Sequence, residues 1–136
     1  LEPFQVPFDL IEKIGYGELS EDSTLFTQLH EAEWETKTKI NEQFTLLKTT
    51  QKLEYINLED EMYDVIYFDA FAPKKQPELW NKEIFMKLYK ATKQGGILTT
   101  YSAAGQLKRD LKAAGYTIEN PPGANGKREM TVAIKQ

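Results

Sequence analysis

The chain has no cysteine and a single histidine, His30, among its 136 residues. No cysteine means no disulfide, no thiolate nucleophile and no cysteine-held zinc or iron–sulfur cluster. One histidine excludes a multi-histidine metal centre, and no metal is expected. Apolar runs are short. Val65-Ile66-Tyr67-Phe68 is among the longest, far below the ~20 residues that cross a bilayer. No basic stretch followed by an apolar one opens the sequence, so no signal peptide is expected and a reducing cytoplasm is the default.

What is present suffices for one folded domain. Hydrophobic residues make up 40% of the chain, with seven Phe, seven Tyr and two Trp; general disorder is excluded. The net charge of −4 is unevenly spread: residues 1–68 carry 15 acids against 5 bases, and residues 69–136 carry 6 against 12. An acidic protein of this kind can still present a basic face to a polyanion, although solvated surface lysines give the same count.

The pattern predicts an extended segment at Leu1–Phe4 and a short helix from Pro7 that ends at Gly15. A second helix, capped by Asp22 or Ser23, is expected to run to about Glu33, followed by a hairpin around Asn41-Glu42-Gln43. Tyr63–Phe68 reads as a strand buried on both faces, Trp80–Lys93 as a helix ended by Gly95-Gly96, and Ile97–Tyr101 as a strand. Ala103–Ala114 reads as a helix stopped at Gly115, and Tyr116–Glu119 and Met130–Ile134 as strands. Strands alternating with helices predict a three-layer α/β fold with a mostly parallel sheet and an antiparallel pair at one edge.

In such a sheet ligands collect at the carboxyl ends of the strands. Three segments end there: Leu1-Glu2, Tyr67-Phe68-Asp69-Ala70-Phe71-Ala72-Pro73, and Thr99-Thr100-Tyr101-Ser102. A carboxylate at Asp69 could orient a nucleophile or take its proton, or could simply cap its loop. Lys74-Lys75, Lys108, Arg109, Lys112 and Lys127-Arg128 could line a phosphate-binding surface, with Phe71, Trp80 or Tyr101 able to stack a base. Other signatures fail: Gly123–Lys127 is no P-loop, Ser102 no nucleophile elbow, and Gly15-Tyr16-Gly17 no dinucleotide fingerprint.

Asp64–Pro73 with Lys75-Gln76-Pro77-Glu78-Leu79-Trp80 resembles the signature of the MnmC-type tRNA methyltransferases. Gly95–Tyr101, Gly105–Arg109 and Gly126–Met130 fit in order, and Leu1-Glu2-Pro3-Phe4 with Pro7 resembles that family's second strand. The resemblance implies a Rossmann-like class I methyltransferase fold in one partial domain over residues 1–136. It implies S-adenosyl-L-methionine as cofactor, tRNA as partner, and methylation of the 5-aminomethyl group of wobble (2-thio)uridine. The roles it implies are catalytic for Asp69, Phe71 and Tyr101, and cofactor-binding for Glu2, Asp69 and Ala70. For tRNA it implies Pro73, Lys74, Lys75, Trp80, Arg109, Lys127 and Arg128. No fused oxidoreductase domain and no FAD are expected.

Two departures from that family stand out. Its glycine-rich cofactor loop is absent, so the chain is expected to begin after it and to leave a sheet edge open for self-association. The acid that follows its third strand is replaced by Thr49-Thr50-Gln51-Lys52. Both favour an alternative, a non-catalytic tRNA- or protein-binding remnant of the fold. A nicotinamide oxidoreductase would rest on fold analogy alone.

Overall fold

The computed structural model describes residues 4–15, 23–122 and 129–136. Residues 1–55 and 56–136 form two compact units.

The first unit holds helix α1 (Phe8–Lys13), helix α2 (Ser23–Glu31) and the antiparallel hairpin β1 (Lys37–Lys39) and β2 (Thr45–Leu47). Pro7 precedes α1, where its missing N–H costs nothing, and Gly15 leaves the helix at φ +73°. The predicted hairpin is present: Asn41 Oδ1 accepts from the Gln43 amide at 2.9 Å, and Ile40 N donates to Phe44 O at 3.0 Å. Asp22, a candidate cap, lies outside the described residues. Glu35 adopts φ +60° and ties the hairpin's exit to the end of α2. Its amide donates to Lys48 O, and its carboxylate accepts from Thr49 Oγ1, Thr50 N and Thr50 Oγ1 at 2.6–2.9 Å. These bonds favour the charged form and hold its carboxyl below the usual range.

The second unit runs β3 (Tyr63–Tyr67), a 3₁₀ turn (Pro77–Leu79), α3 (Lys82–Ala91), β4 (Thr92–Thr100), α4 (Gly105–Ala114), β5 (Thr117–Glu119) and β6 (Thr131–Ile134). The sheet order is β3-β4-β6-β5, with β3 parallel to β4 and β6 antiparallel to both its neighbours. The antiparallel pair expected at one edge is therefore there, with β6 inserted between β4 and β5.

Register divides the sheet into two faces. Ile66, Leu98, Ala133 and Ile118 form one row, and Thr100 and Thr131 stand on the same side. That side meets α3 and α4, with Phe85, Ala91, Leu98, Leu111, Thr92, Thr131 and Ala133 at or near full burial. Truncating a fully buried Phe costs about 3–5 kcal/mol, whereas an exposed ion pair such as Lys93–Asp64 contributes ~0–1 kcal/mol. The helix-covered layer is what holds the unit together. Among the described residues of this unit, the other face carries Val65, Tyr67, Ile97, Val132 and Ile134 with no helix over it.

Two expectations change here. Strand β3 is not buried on both faces: among the described residues it pairs only with β4, and Val65 and Tyr67 remain 43% and 81% exposed. Helix α3 ends at Ala91 rather than at Gly95-Gly96. At Thr92 the backbone turns extended, and both its amide and its hydroxyl donate to Leu88 O, the hydroxyl at 2.7 Å. The glycines instead shape an irregularity inside β4, where Tyr63 pairs with Thr92 but Val65 pairs with Ile97. Gly95 takes φ +76°, and a Cβ on Gly96 would come within 2.9 Å of Lys93 O.

Candidate active site at the carboxyl end of the sheet

Three connections leave the same end of the sheet. Phe68–Gln76 follows β3, Tyr101–Ala104 follows β4, and residues 120–122 and 129–130 leave β5 and lead into β6 there, since Thr131 pairs with Thr100. Phe68 closes the base: its amide donates to Thr99 O at 2.8 Å, and its ring meets Trp80 and Phe85 edge-on at 5.0 and 5.6 Å. Thr131 Oγ1 donates to Ser102 O at 2.8 Å, joining the second and third connections.

The next residues face solvent. Asp69 is exposed and Phe71 is 76% exposed, although an aromatic ring gains nothing from water. Backbone ties account for the placement. Tyr101 Oη donates to Ala70 O at 2.9 Å, Trp80 Nε1 donates to Phe71 O at 2.7 Å, and the Phe71 amide donates to Gln76 Oε1 at 3.2 Å. Trp80 and Tyr101 also meet edge-on at 6.1 Å. Both had been candidates for touching substrate, Tyr101 as a catalytic residue and Trp80 as a tRNA contact. Their polar atoms are instead engaged with the Ala70–Phe71 backbone.

Upstream of α3, Asn81 fixes this arrangement. Its Oδ1 accepts from the Ile84 amide at 3.0 Å as an N-cap, and its Nδ2 donates to Glu78 O at 2.7 Å. Pro73, Lys74 and Lys75 form a turn in which the Lys75 and Gln76 amides both donate to Ala72 O. Lys74 and Lys75 are exposed. Arg109 lies on α4 with Nε and Nη2 on Gln106 Oε1 at 3.2 and 2.7 Å, and Lys108 pairs with Glu129 at 3.0 Å. Glu2, Lys127 and Arg128 lie outside the described residues.

Gln76 and Thr99 were not singled out from sequence as site residues. A glutamine in a proline-bounded loop gives no sign that it accepts from an amide five residues earlier. Thr99 is only 9% exposed, and its Oγ1 has no hydrogen-bond partner among the described residues. It stands in the row Tyr67–Thr99–Val132 on the face without helices. An unpaired buried hydroxyl carries a desolvation cost of roughly 1–3 kcal/mol. Its position at the carboxyl end of β4 suits a polar ligand.

Residues 21–136 match the family described as S-adenosyl-L-methionine-dependent methyltransferase. The chain belongs to that family. Among curated relatives, the tRNA 5-methylaminomethyl-2-thiouridine biosynthesis bifunctional proteins MnmC of Ralstonia nicotianae and Cupriavidus metallidurans are 41% and 43% identical over 70 residues. Those 70 residues are 52% of this chain but 11% and 10% of the relatives, so the matched stretch spans about a tenth of their length. Among solved structures, MNMC2 from Aquifex aeolicus is similar in fold, with a TM-score of 0.59 and 23% identity. That likeness covers 81% of this chain and 34% of the other.

The methyltransferase family implies S-adenosyl-L-methionine, and the described residues fit one wall of such a site. Asp69 and Ala70 follow β3, and the unpartnered Thr99 hydroxyl sits at the end of the neighbouring strand. The Thr49 and Thr50 hydroxyls are committed to Glu35. Among the described residues no group of three or more His, Asp or Glu side chains could hold a metal ion.

Proposed function

We propose that this chain is a methyltransferase domain, or part of one, that transfers a methyl group from S-adenosyl-L-methionine to the 5-aminomethyl nitrogen of wobble (2-thio)uridine in tRNA, in the cytoplasm. The observation that carries this is the exposed Asp69–Phe71 segment at the carboxyl end of a methyltransferase sheet, within a family match over residues 21–136. The names of the MnmC relatives support the substrate.

The cofactor, when bound, supplies a methyl group on a sulfonium. In-line displacement by the amine would form the carbon–nitrogen bond as the carbon–sulfur bond breaks, and holding the amine in position would supply much of the rate. Asp69 orients the amine and accepts the proton it sheds. Ala70 and Glu2 contact the cofactor. Phe71 and Pro73 shape the base pocket, and Lys74, Lys75, Arg109, Lys127 and Arg128 take the phosphate backbone. Transfer of labelled methyl to tRNA carrying unmethylated 5-aminomethyluridine tests the assignment.

The commitment of Thr49 and Thr50 to Glu35, where the resemblance places a cofactor acid, favours one alternative: a domain that binds tRNA without transferring methyl. Binding without label would select it.

We further propose self-association through β3, whose outer edge is unpaired among the described residues. Two β3 strands paired antiparallel about Val65 set Tyr63 against Tyr67 twice and Asp64 against Ile66, with no like charges opposed. Light scattering should show a dimer that Val65→Lys converts to monomer. A wild-type chain monomeric at all concentrations overturns this.

A further inference from the structure

We propose that Gln76, Trp80 and Tyr101 are positioning residues that clamp the Ala70–Phe71 backbone so that the Phe71 ring is held out as a preformed stacking surface for an unstacked nucleobase. This rests on the proposed function for the identity of the base. The clamp itself rests on geometry.

Phe71 is tied on both sides of its α-carbon, its amide to Gln76 Oε1 and its carbonyl to Trp80 Nε1, and the preceding carbonyl to Tyr101 Oη. Three side chains, two flanking the Pro77–Leu79 turn and one following β4, thus converge on two consecutive residues. Each partner is fixed in turn. Gln76 is held by its own amide on Ala72 O, and Trp80 by its amide on Pro77 O and its ring on Phe68. Tyr101 follows β4 directly. The free energy of this network does not go into burying Phe71, whose ring remains 76% exposed. A loop pinned this thoroughly around an exposed aromatic has already met the ordering cost that base stacking would otherwise incur. Lys74 and Lys75, exposed three and four residues on, suit the adjoining phosphates. A hydrogen-bonded loop of purely structural purpose would be expected to tuck the ring beneath it.

The test separates clamp from stacking. Amide exchange of Phe71 should accelerate about fivefold in Gln76→Ala, the loss of one ordinary hydrogen bond. Gln76→Glu, which keeps an acceptor oxygen, should restore it, and the melting temperature should change little in either. Tyr101→Phe should loosen the same peptide, and Trp80→Phe the next one, read at the Ala72 amide. In parallel, binding of an anticodon stem-loop with an intact wobble uridine is compared with one abasic at that position. The wild type should prefer the intact base about tenfold, and Phe71→Ala should abolish the preference. Gln76→Ala should weaken it, and Gln76→Glu should return it.

Unchanged exchange in Gln76→Ala and Trp80→Phe overturns the clamp. A wild type indifferent to the abasic site overturns the stacking role. Failure of methyl transfer with both other results intact overturns the proposed function alone.

Discussion

The two ends of the second unit's sheet are built on opposite terms. At the amino end of β3 and β4, buried polar groups find partners within the protein. Lys135, almost wholly buried, donates to Thr92 O at 2.8 Å, lies 4.8 Å from the Tyr89 ring centroid and approaches Glu61 at 3.5 Å. Tyr116 Oη shares a 2.8 Å hydrogen bond with Thr92 Oγ1, and Tyr89 meets Tyr116 edge-on at 5.0 Å. At the carboxyl end Asp69 and Phe71 stand in solvent and the Thr99 hydroxyl is buried without a partner among the described residues. One end spends its chemistry on stability. The other leaves chemistry unused, as a binding site must.

Substitutions at the two ends should therefore separate activity from stability. The largest effect belongs to Asp69→Ala, which should lower methyl transfer at least about a hundredfold with the melting temperature nearly unchanged. A mutant that turns over normally would remove Asp69 from the chemistry. Next is Gly115→Ala at the stabilising end. Gly115 closes α4 at φ +116°, and a Cβ there would come within 2.8 Å of the Tyr89 ring. A destabilisation of about 2 kcal/mol or more is expected from left-handed strain plus that contact, read by chemical denaturation. Stability within 0.5 kcal/mol of wild type, on the order expected for an ordinary surface change, would deny the strain.

The smallest effect is one of pH. Burial pushes the Tyr116 hydroxyl up to about 12, the Thr92 hydrogen bond opposing and Tyr89 adding to the rise. A raised acid pKa means that the folded protein keeps its proton after the unfolded chain has lost it. The stability from Tyr116 is thus complete below the ordinary tyrosine value near 10 and falls as pH climbs from about 10 to 12. Tyr116→Phe should flatten that fall. An equally steep decline in the variant would place its source elsewhere.

Much of this architecture was legible. Gly115, the Tyr63–Phe68 run and the Asn41–Gln43 turn each announce their elements by local chemistry. Asp69 stood out because a strand of apolar residues delivers it to a loop. The insertion of β6 between β4 and β5 was not legible, since strand order depends on non-local pairing that no local pattern records. The early end of α3 escaped because the helix-compatible residues around Thr92 give no local sign that its backbone turns extended to pair with β3. A lysine at position 135 gives no local sign of burial. It continues the buried alternation of Thr131 and Ala133, and its long side chain carries the charge to Thr92 O. The backbone hydrogen bonds of Trp80 and Tyr101 were not legible either, since an aromatic beside a candidate site gives no local sign of where its polar atom is bonded.

The most direct test of the central claim is transfer of labelled methyl from S-adenosyl-L-methionine to tRNA carrying unmethylated 5-aminomethyluridine, with the labelled nucleoside identified after digestion. The arrangement at the carboxyl end predicts label at the wobble nucleoside with the wild type and none with Asp69→Ala. Tight tRNA binding by the folded wild type with no label at any nucleoside would contradict it and leave a binding domain in its place.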